Sequence, residues 1–323
     1  MSHDFVEKLE FKSEYFDLYK LSNNAYGAIS KKNSGMGSNA GFIDLGNFSV
    51  VIDTTLSEGA AKDLKKAVIL YTKKEPKFIV TTHFHMDHVF GNSVFDPSTL
   101  IITSHRTLKN IETENPKRIE DIKNMASEEV AKMEDSLKTE KDEEKREEIE
   151  NNLQYIRSIQ AENFSLRGAD VSFEHEVILH GDKITIQLRT VKKAHTDGDV
   201  IIYIPEEKVL FAGDLLFAKV DPWLGSGDPE GWVSLIDEEL LKMDYQVVVP
   251  GHGQLASMNE FELEKKYIKE IMELAKKYMD AGKEPTKIKR EDFSEELQSW
   301  TSPILEWNTN FLTEFLKKHE NSV

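Results

Sequence analysis

Residues 78–92 read FIVTTHFHMDHVFGN, an apolar run that ends in three histidines and one aspartate within six positions. No other stretch restricts the fold as tightly. Four ligand-type groups, His83-x-His85-x-Asp87-His88, follow a strand that reads as buried, and such groups are costly to desolvate unless a cation compensates them. At an extended strand end His83 and His85 project from the same face, because side chains alternate with a period of two, so both rings can reach one ion. The chain must turn after Met86 for Asp87 and His88 to face the same pocket, and Gly91-Asn92 permits a helix start or tight turn.

A catalytic metal keeps a position open and takes its other protein ligands from elsewhere in the chain. Three candidates stand where an apolar strand breaks into a loop: His195 in KKAHTDGD, Asp214 closing VLFAGD, and His252 in VVVPGHG. Layered α/β scaffolds build their sites at such junctions. Taken alone, His195 or His252 reads as an ordinary structural residue; beside the 83–88 cluster each becomes a ligand candidate. His3, His105, His175, His180 and His319 lack this context, and His175 and His180 are expected on a solvated face.

The rest of the chain supplies a frame. NAYGAI, AGFIDLG and FSVVIDT read as strands, and the intervening SGMGSNAG reads as a mobile hairpin loop because another strand-like run follows it. LSEGAAKDLKKAVILYTKKEP is an amphipathic helix with Ser57 as its N-cap, followed by the strand KFIVTTHFH and then TLIITS. Residues 111–165 carry apolar side chains at helical spacing on either side of KTEKDEEKREE, which predicts an antiparallel helical hairpin. With 9 basic and 16 acidic residues it reads as a solvated insertion docked by one apolar stripe. The β pattern resumes at DVSFEHEVILHG and runs to YQVVVPGHG, and beyond residue 257 the chain is helical. Two strand-rich blocks with accompanying helices predict an α/β fold, a four-layer αββα sandwich over residues 1–257 with the hairpin at 111–165 and a C-terminal helical extension over 258–323.

Lys+Arg 41 against Asp+Glu 58 gives a formal charge of -17, which disfavours nucleic acid and anionic membrane surfaces as partners. The absence of cysteine excludes disulfides, thiolate ligands and a thiol nucleophile. MSHDFVEKLEFKSEYF has no apolar run of signal-peptide length, and no segment approaches the roughly 20 apolar residues of a membrane span, so a cytoplasmic location is expected. A small molecule is the expected partner, and a homodimer is compatible with the sequence.

THFHMDH, AHTDGD, FAGDLLF and VVVPGHG, in that order, resemble the metallo-β-lactamase superfamily. The resemblance covers about residues 20–257. It implies that His83, His85 and His195 bind one ion, that Asp87, His88 and His252 bind a second, and that Asp214 bridges them. His85 stands where the oxygen-reducing di-iron members carry an acidic residue, and no cysteine occupies position 214, which sets aside both those enzymes and the best-known β-lactamases. An aspartate bridge is similar to that of glyoxalase II and acyl-homoserine lactonases, although the basic glutathione-binding residues of the former have no counterpart here. Two divalent cations, zinc by ligand type with iron or manganese also accepted, would share a water of lowered pKa as nucleophile. Asp87 would orient that water and shuttle its proton. The implied activity is hydrolysis of an ester-like carbonyl in a thioester, lactone or β-lactam. The rival readings are a nuclease or phosphodiesterase, an iron-dependent sulfur dioxygenase, and a non-catalytic protein of the same fold. Asp53, closing FSVVID, is either a support for a ligand histidine or a strand-end turn residue. Trp223, Trp232, Trp300 and Trp307 are expected mainly in the core.

Overall fold

A computed structural model describes residues 6–162, 164–300 and 304–320. His3 lies outside the described residues, as does the side chain of His319. The first sheet holds β1 (Glu7–Lys8), β2 (Phe16–Lys20), β3 (Ala25–Ser30), β4 (Ala40–Asp44), β5 (Ser49–Ile52), β6 (Pro76–Val80), β7 (Leu100–Ser104) and β8 (Val171–Phe173), side by side in sequence order. β1 to β5 form an antiparallel meander, and β5 to β8 run parallel. The second sheet is β9 (Glu176–His180), β10 (Thr185–Thr190), β11 (Val200–Ile204), β12 (Val209–Ala218) and β13 (Val247–Gly253), antiparallel except for the parallel pair β12 and β13.

Parallel neighbours need crossover segments, and the helices supply the outer layers. α1 (Glu58–Thr72) starts at Ser57, whose side chain accepts from the Ala60 amide, and ends at Lys73 in the left-handed region, φ 60°. Its Ala60, Leu64, Ala67 and Val68 pack on the outer face of the first sheet with Phe42, Val51 and Ile79. α2 (Met86–Val89) and a short 3-10 helix, Phe90–Val94, form the turn required after Met86. Between the sheets, Val50, Ile52 and Val80 share a cluster with Ile202, Val209 and Phe211. Each such buried side chain contributes roughly 1.5–3 kcal/mol relative to exposure.

The insertion is more divided than a single hairpin. α3 (His105–Thr113) and α4 (Asn115–Lys123) precede α5 (Ser127–Thr139) and α6 (Glu143–Gln160), and the chain breaks at Ala126, which is extended with ψ 138°. Ile111, Ile119, Ile122, Ile156 and Ile159 pack against Met86, Val89 and Phe90, so the apolar stripe seats on the turn that carries Asp87 and His88. α6 also reaches the β3–β4 connection: Lys32 pairs with Glu147 at 2.9 Å, and the Gln154 side chain donates to the Asn33 carbonyl at 3.0 Å. That connection is pinned, with Met36 buried and the Ser38 hydroxyl donating to the Asp87 carbonyl at 2.7 Å; the expected mobile loop is a packed one.

On the outer face of the second sheet lie α7 (Pro229–Glu238), α8 (Met258–Asp280), α9 (Glu295–Gln298) and α10 (Leu305–Glu320), which share one core with Leu210, Leu216 and Val248. Four layers result, helices on two sheets. Trp232 and Trp300 belong to this core, whereas Trp223 is half-buried and Trp307 is 58% exposed, contrary to the expectation of core packing. No described helix is long and apolar enough to cross a membrane.

Glu264 of α8 is fully buried and accepts from the Phe217 amide at 2.8 Å. Burial pushes its carboxyl well above the usual range, against that hydrogen bond. The folded chain therefore keeps a proton that the unfolded chain gives up above the ordinary value, and stability falls as pH rises through that window. Glu264→Gln removes the dependence: its stability relative to the parent is expected to be near equal at pH 4 and to grow steadily to pH 8, read from urea midpoints. A constant difference across that range contradicts the assignment.

Candidate metal centre

The parallel strands end on one edge, and the ligand candidates gather there. β6 stops at Val80, so His83 and His85 sit in the following loop rather than on the strand itself, with their rings edge to face at 4.8 Å. His195 enters from the β10–β11 turn, with its ring 4.8 Å from His83 and 4.7 Å from His85. Asp214 lies where the β12–β13 ladder slips: register shifts flank Gly213, whose φ is 53°. His252 closes β13 and stacks on Phe217 at 4.8 Å. Gly251 is required here, since a Cβ would fall 1.8 Å from Asp214 Oδ1.

Two groups form: His83, His85, His195 and Asp214, and Asp87, His88 and His252. Within each, the ligand atoms lie within 4.8 Å of one another. Asp214 faces both, with Oδ2 3.6 Å from His83 Nε2, 3.4 Å from His195 Nε2 and 3.4 Å from His252 Nε2, and Oδ1 3.0 Å from His88 Nε2. Asp87 Oδ2 is 3.3 Å from His252 Nε2 and 3.6 Å from His88 Nε2. All seven predicted residues are thus in one place. His175, His180 and His105 are exposed and apart from it.

Hydrogen counting fixes the ring tautomers. A carbonyl can only accept, so His195 Nδ1, 3.0 Å from the Trp223 oxygen, carries the proton and Nε2 bears the lone pair. Asp53 Oδ2 accepts from His88 Nδ1 at 2.8 Å and from the Thr82 hydroxyl at 2.8 Å. With its proton committed to Asp53, Thr82 Oγ1 accepts from His83 Nδ1 at 3.0 Å. His83 therefore also turns a bare Nε2 inward, and His88, its Nδ1 proton committed to Asp53, turns its Nε2 the same way. Asp53 holds its place at φ 55°, a left-handed conformation that aspartate tolerates better than most residues. Its other oxygen accepts from the Thr82 amide at 2.8 Å. His85 Nε2 meets Ser226 Oγ at 3.0 Å, which turns Nδ1 toward the other two rings.

These atoms fit a cation better than they fit each other. His85 Nδ1 lies 3.1 Å from His83 Nε2 and 2.9 Å from His195 Nε2, close to the edges of about 3.3 Å that a tetrahedral zinc–imidazole cage requires. His88 Nε2 and Asp214 Oδ1 are buried and 3.0 Å apart, an ion-pair contact without hydrogen-bond geometry, and neither atom has a hydrogen-bond partner elsewhere among the described residues. Such orphaned pairs are rare in folded interiors.

The electrostatics point the same way. Burial, with the neighbouring His88, pushes His83 well down; burial, with His195, takes His85 to about 3; burial takes His195 to about 4. All three are neutral and available as donors. Burial also opposes charge on His88 and His252, but the nearby carboxylates, led by Asp214, outweigh it and raise His88 well up and His252 to about 9. Burial likewise resists ionisation of Asp87 and Asp214, and the charge of His88 overcomes it, leaving Asp87 at about 2 and Asp214 well below the carboxylate range. In the metal-free chain, protons on two histidines supply the positive charge that the carboxylates demand.

Ser226, Thr82 and the Trp223 carbonyl were invisible to the sequence pattern, because a hydroxyl or peptide oxygen behind a ligand has no spacing rule. Residues 34–252 match the family model described as the Metallo-beta-lactamase superfamily. Among solved structures, a metallo-beta-lactamase from Pontibacter korlensis is 18% identical with a TM-score of 0.58, over 79% of this chain and 99% of that one. The DIM-1 metallo-beta-lactamase is 17% identical with a TM-score of 0.56, over 79% and 97%. The stereoselective inverting sec-alkylsulfatase Pisa1 from Pseudomonas sp. is 14% identical with a TM-score of 0.62, over 92% of this chain but 49% of that one. At these identities the likeness establishes the fold. No curated protein matches the sequence.

Proposed function

The chain belongs to the metallo-beta-lactamase superfamily, and from that premise we propose that it is a hydrolase that uses two divalent metal ions to open an ester-like carbonyl of a small molecule. The observation that carries this is the convergence of seven ligand-type side chains in two groups that share Asp214. His83, His85 and His195 would hold one ion, Asp87, His88 and His252 the other, and Asp214 would lie between them. Zinc suits imidazole and carboxylate donors, with iron and manganese as the metals to test against it. Divalent cations bound there supply Lewis acidity and lower the pKa of water toward neutrality.

The protein's own part is orientation and proton handling. Thr82, Asp53, Trp223 and Ser226 fix the aim of four rings, and the inward nitrogens of those rings are the ones that would face the ions. Asp87, the most exposed of the carboxylates here and ionised at neutral pH, would accept a proton from the nucleophilic water and pass it to the leaving group. Thioesters, lactones and β-lactams are the substrate classes proposed, and the acidic insertion beside the site disfavours nucleic acid. We further propose residues 1–257 as the catalytic domain, with 111–165 inserted and 258–323 appended.

The test is metal analysis of the purified protein, then turnover of thioester, lactone, cephalosporin, sulfate ester and single-stranded nucleic acid substrates before and after chelation. About two ions per chain and chelator-sensitive hydrolysis of a carbonyl substrate are expected. Cleavage confined to nucleic acid or sulfate ester, or rates indifferent to chelation and to His85→Ala, would overturn the proposal.

A further inference from the structure

Two ligands, His85 and His195, lean on the loop between β12 and α7. The Trp223 carbonyl accepts a hydrogen bond from His195 Nδ1 at 3.0 Å, and Ser226 Oγ meets His85 Nε2 at 3.0 Å. The Trp223 indole also donates to Ser226 Oγ at 3.4 Å, so one loop sets both rings. What sets the loop comes from far along the chain. Asn308 of α10, fully buried, donates through Nδ2 to the Pro222 carbonyl at 2.7 Å and accepts at Oδ1 from the Leu224 amide at 3.0 Å. Its carboxamide therefore grips the peptide groups on both sides of Trp223. One residue earlier, buried Asp221 accepts from the Tyr267 hydroxyl at 2.7 Å and from Arg290 at 2.6 Å. Tyr267 is itself held flat between Phe293 and Trp300, with ring centroids at 5.4 Å on each side. At the loop's far end the Asp228 amide donates to the Ala194 carbonyl at 2.8 Å, and a Cβ on Gly227 would fall 2.1 Å from that same oxygen. The loop is thus laid directly on the backbone that presents His195.

We propose that Asn308 is a positioning residue for the first ion's ligands, and that the C-terminal helices serve as the brace of the metal centre. The inference rests on the metal reading above and deepens it. An amide clamp of this kind acts on direction more than on folding: it fixes where the Trp223 oxygen points, and that oxygen fixes the tautomer and the aim of the His195 ring. Asn308 belongs to neither group of candidate ligands.

The experiment compares Asn308→Ala and Asn308→Asp with Leu312→Ala, a cavity in the same helix whose side chain is fully buried but belongs to the general core. Asn308→Asp keeps the acceptor for Leu224 and places a second oxygen against the Pro222 carbonyl, so it carries the comparison if the alanine variant folds poorly. Zinc affinity is read by competition with a chromophoric chelator, and the His195 Nδ1 proton by nitrogen–proton correlation in the metal-free chain. Both Asn308 variants are expected to bind zinc about tenfold more weakly or worse and to lose the hydrogen-bonded His195 resonance. Leu312→Ala should lower the melting temperature while keeping parental affinity and resonance. Asn308 variants with parental affinity and an unchanged His195 signal would overturn the clamp. Parent protein that takes up no zinc contradicts the metal reading instead, and the His195 signal then still decides the clamp.

Discussion

Asp214→Ala is expected to strip metal from the centre and to lower turnover by about a thousandfold or more. Asp214 reaches both groups, with Oδ1 beside His88 and Oδ2 beside His83 and His195 of one group and His252 of the other. Its loss removes the shared carboxylate and also the charge that keeps His88 and His252 protonated in the metal-free chain. The histidine cluster is then left facing itself with less anionic compensation. Metal content per chain, measured beside turnover, checks this, and a variant that retains both ions at parental affinity would refute the bridging role.

Asp53 makes the second large prediction, since one carboxylate serves a ligand from each group. Oδ2 holds His88 directly and His83 through the Thr82 hydroxyl, and Oδ1 holds the Thr82 amide. Asp53→Ala leaves these buried donors unanswered and is expected to cost roughly 2–5 kcal/mol of stability and about 10–100-fold in affinity at both sites. Asp53→Asn separates the two roles, because asparagine also accepts the left-handed backbone at φ 55°. If the residue serves only as a turn, the asparagine variant keeps full zinc affinity in chelator competition. If it steers the histidines, affinity falls while the melting temperature barely moves.

The candidate ligands were legible because metal chemistry restricts residue type and spacing together. His83, His85, Asp87 and His88 stand out within six positions, and His195, Asp214 and His252 each mark the end of an apolar strand. The layering was legible for a similar reason, as β5, β6 and β7 are short apolar runs and α1 carries its own cap. What supports the ligands was less so. Asp53 was readable only as one of two roles, because a strand-end aspartate fits a turn as well as a histidine partner. Asn308 lies 56 positions beyond the last ligand and acts on peptide groups, so no pattern of side chains announces it. The insertion differs in another way: its helical periodicity continues through Met125, yet the chain breaks between Lys123 and Ser127 with no glycine or proline to mark the place. Trp307 reads as core by hydrophobicity alone, yet its indole reaches Glu148 of α6 at 3.5 Å and stays largely in solvent.

The seven side chains are spread from residue 83 to residue 252, and Asn308 lies further still. On the metal reading proposed above, a chain growing from the ribosome would complete its centre late. The first histidines emerge long before their partners, and any ion they catch early sits on an unfinished, exchangeable site. On the proposed ligand set and brace, full loading would await the emergence of α10, so this centre would mature well after its most conspicuous motif has appeared.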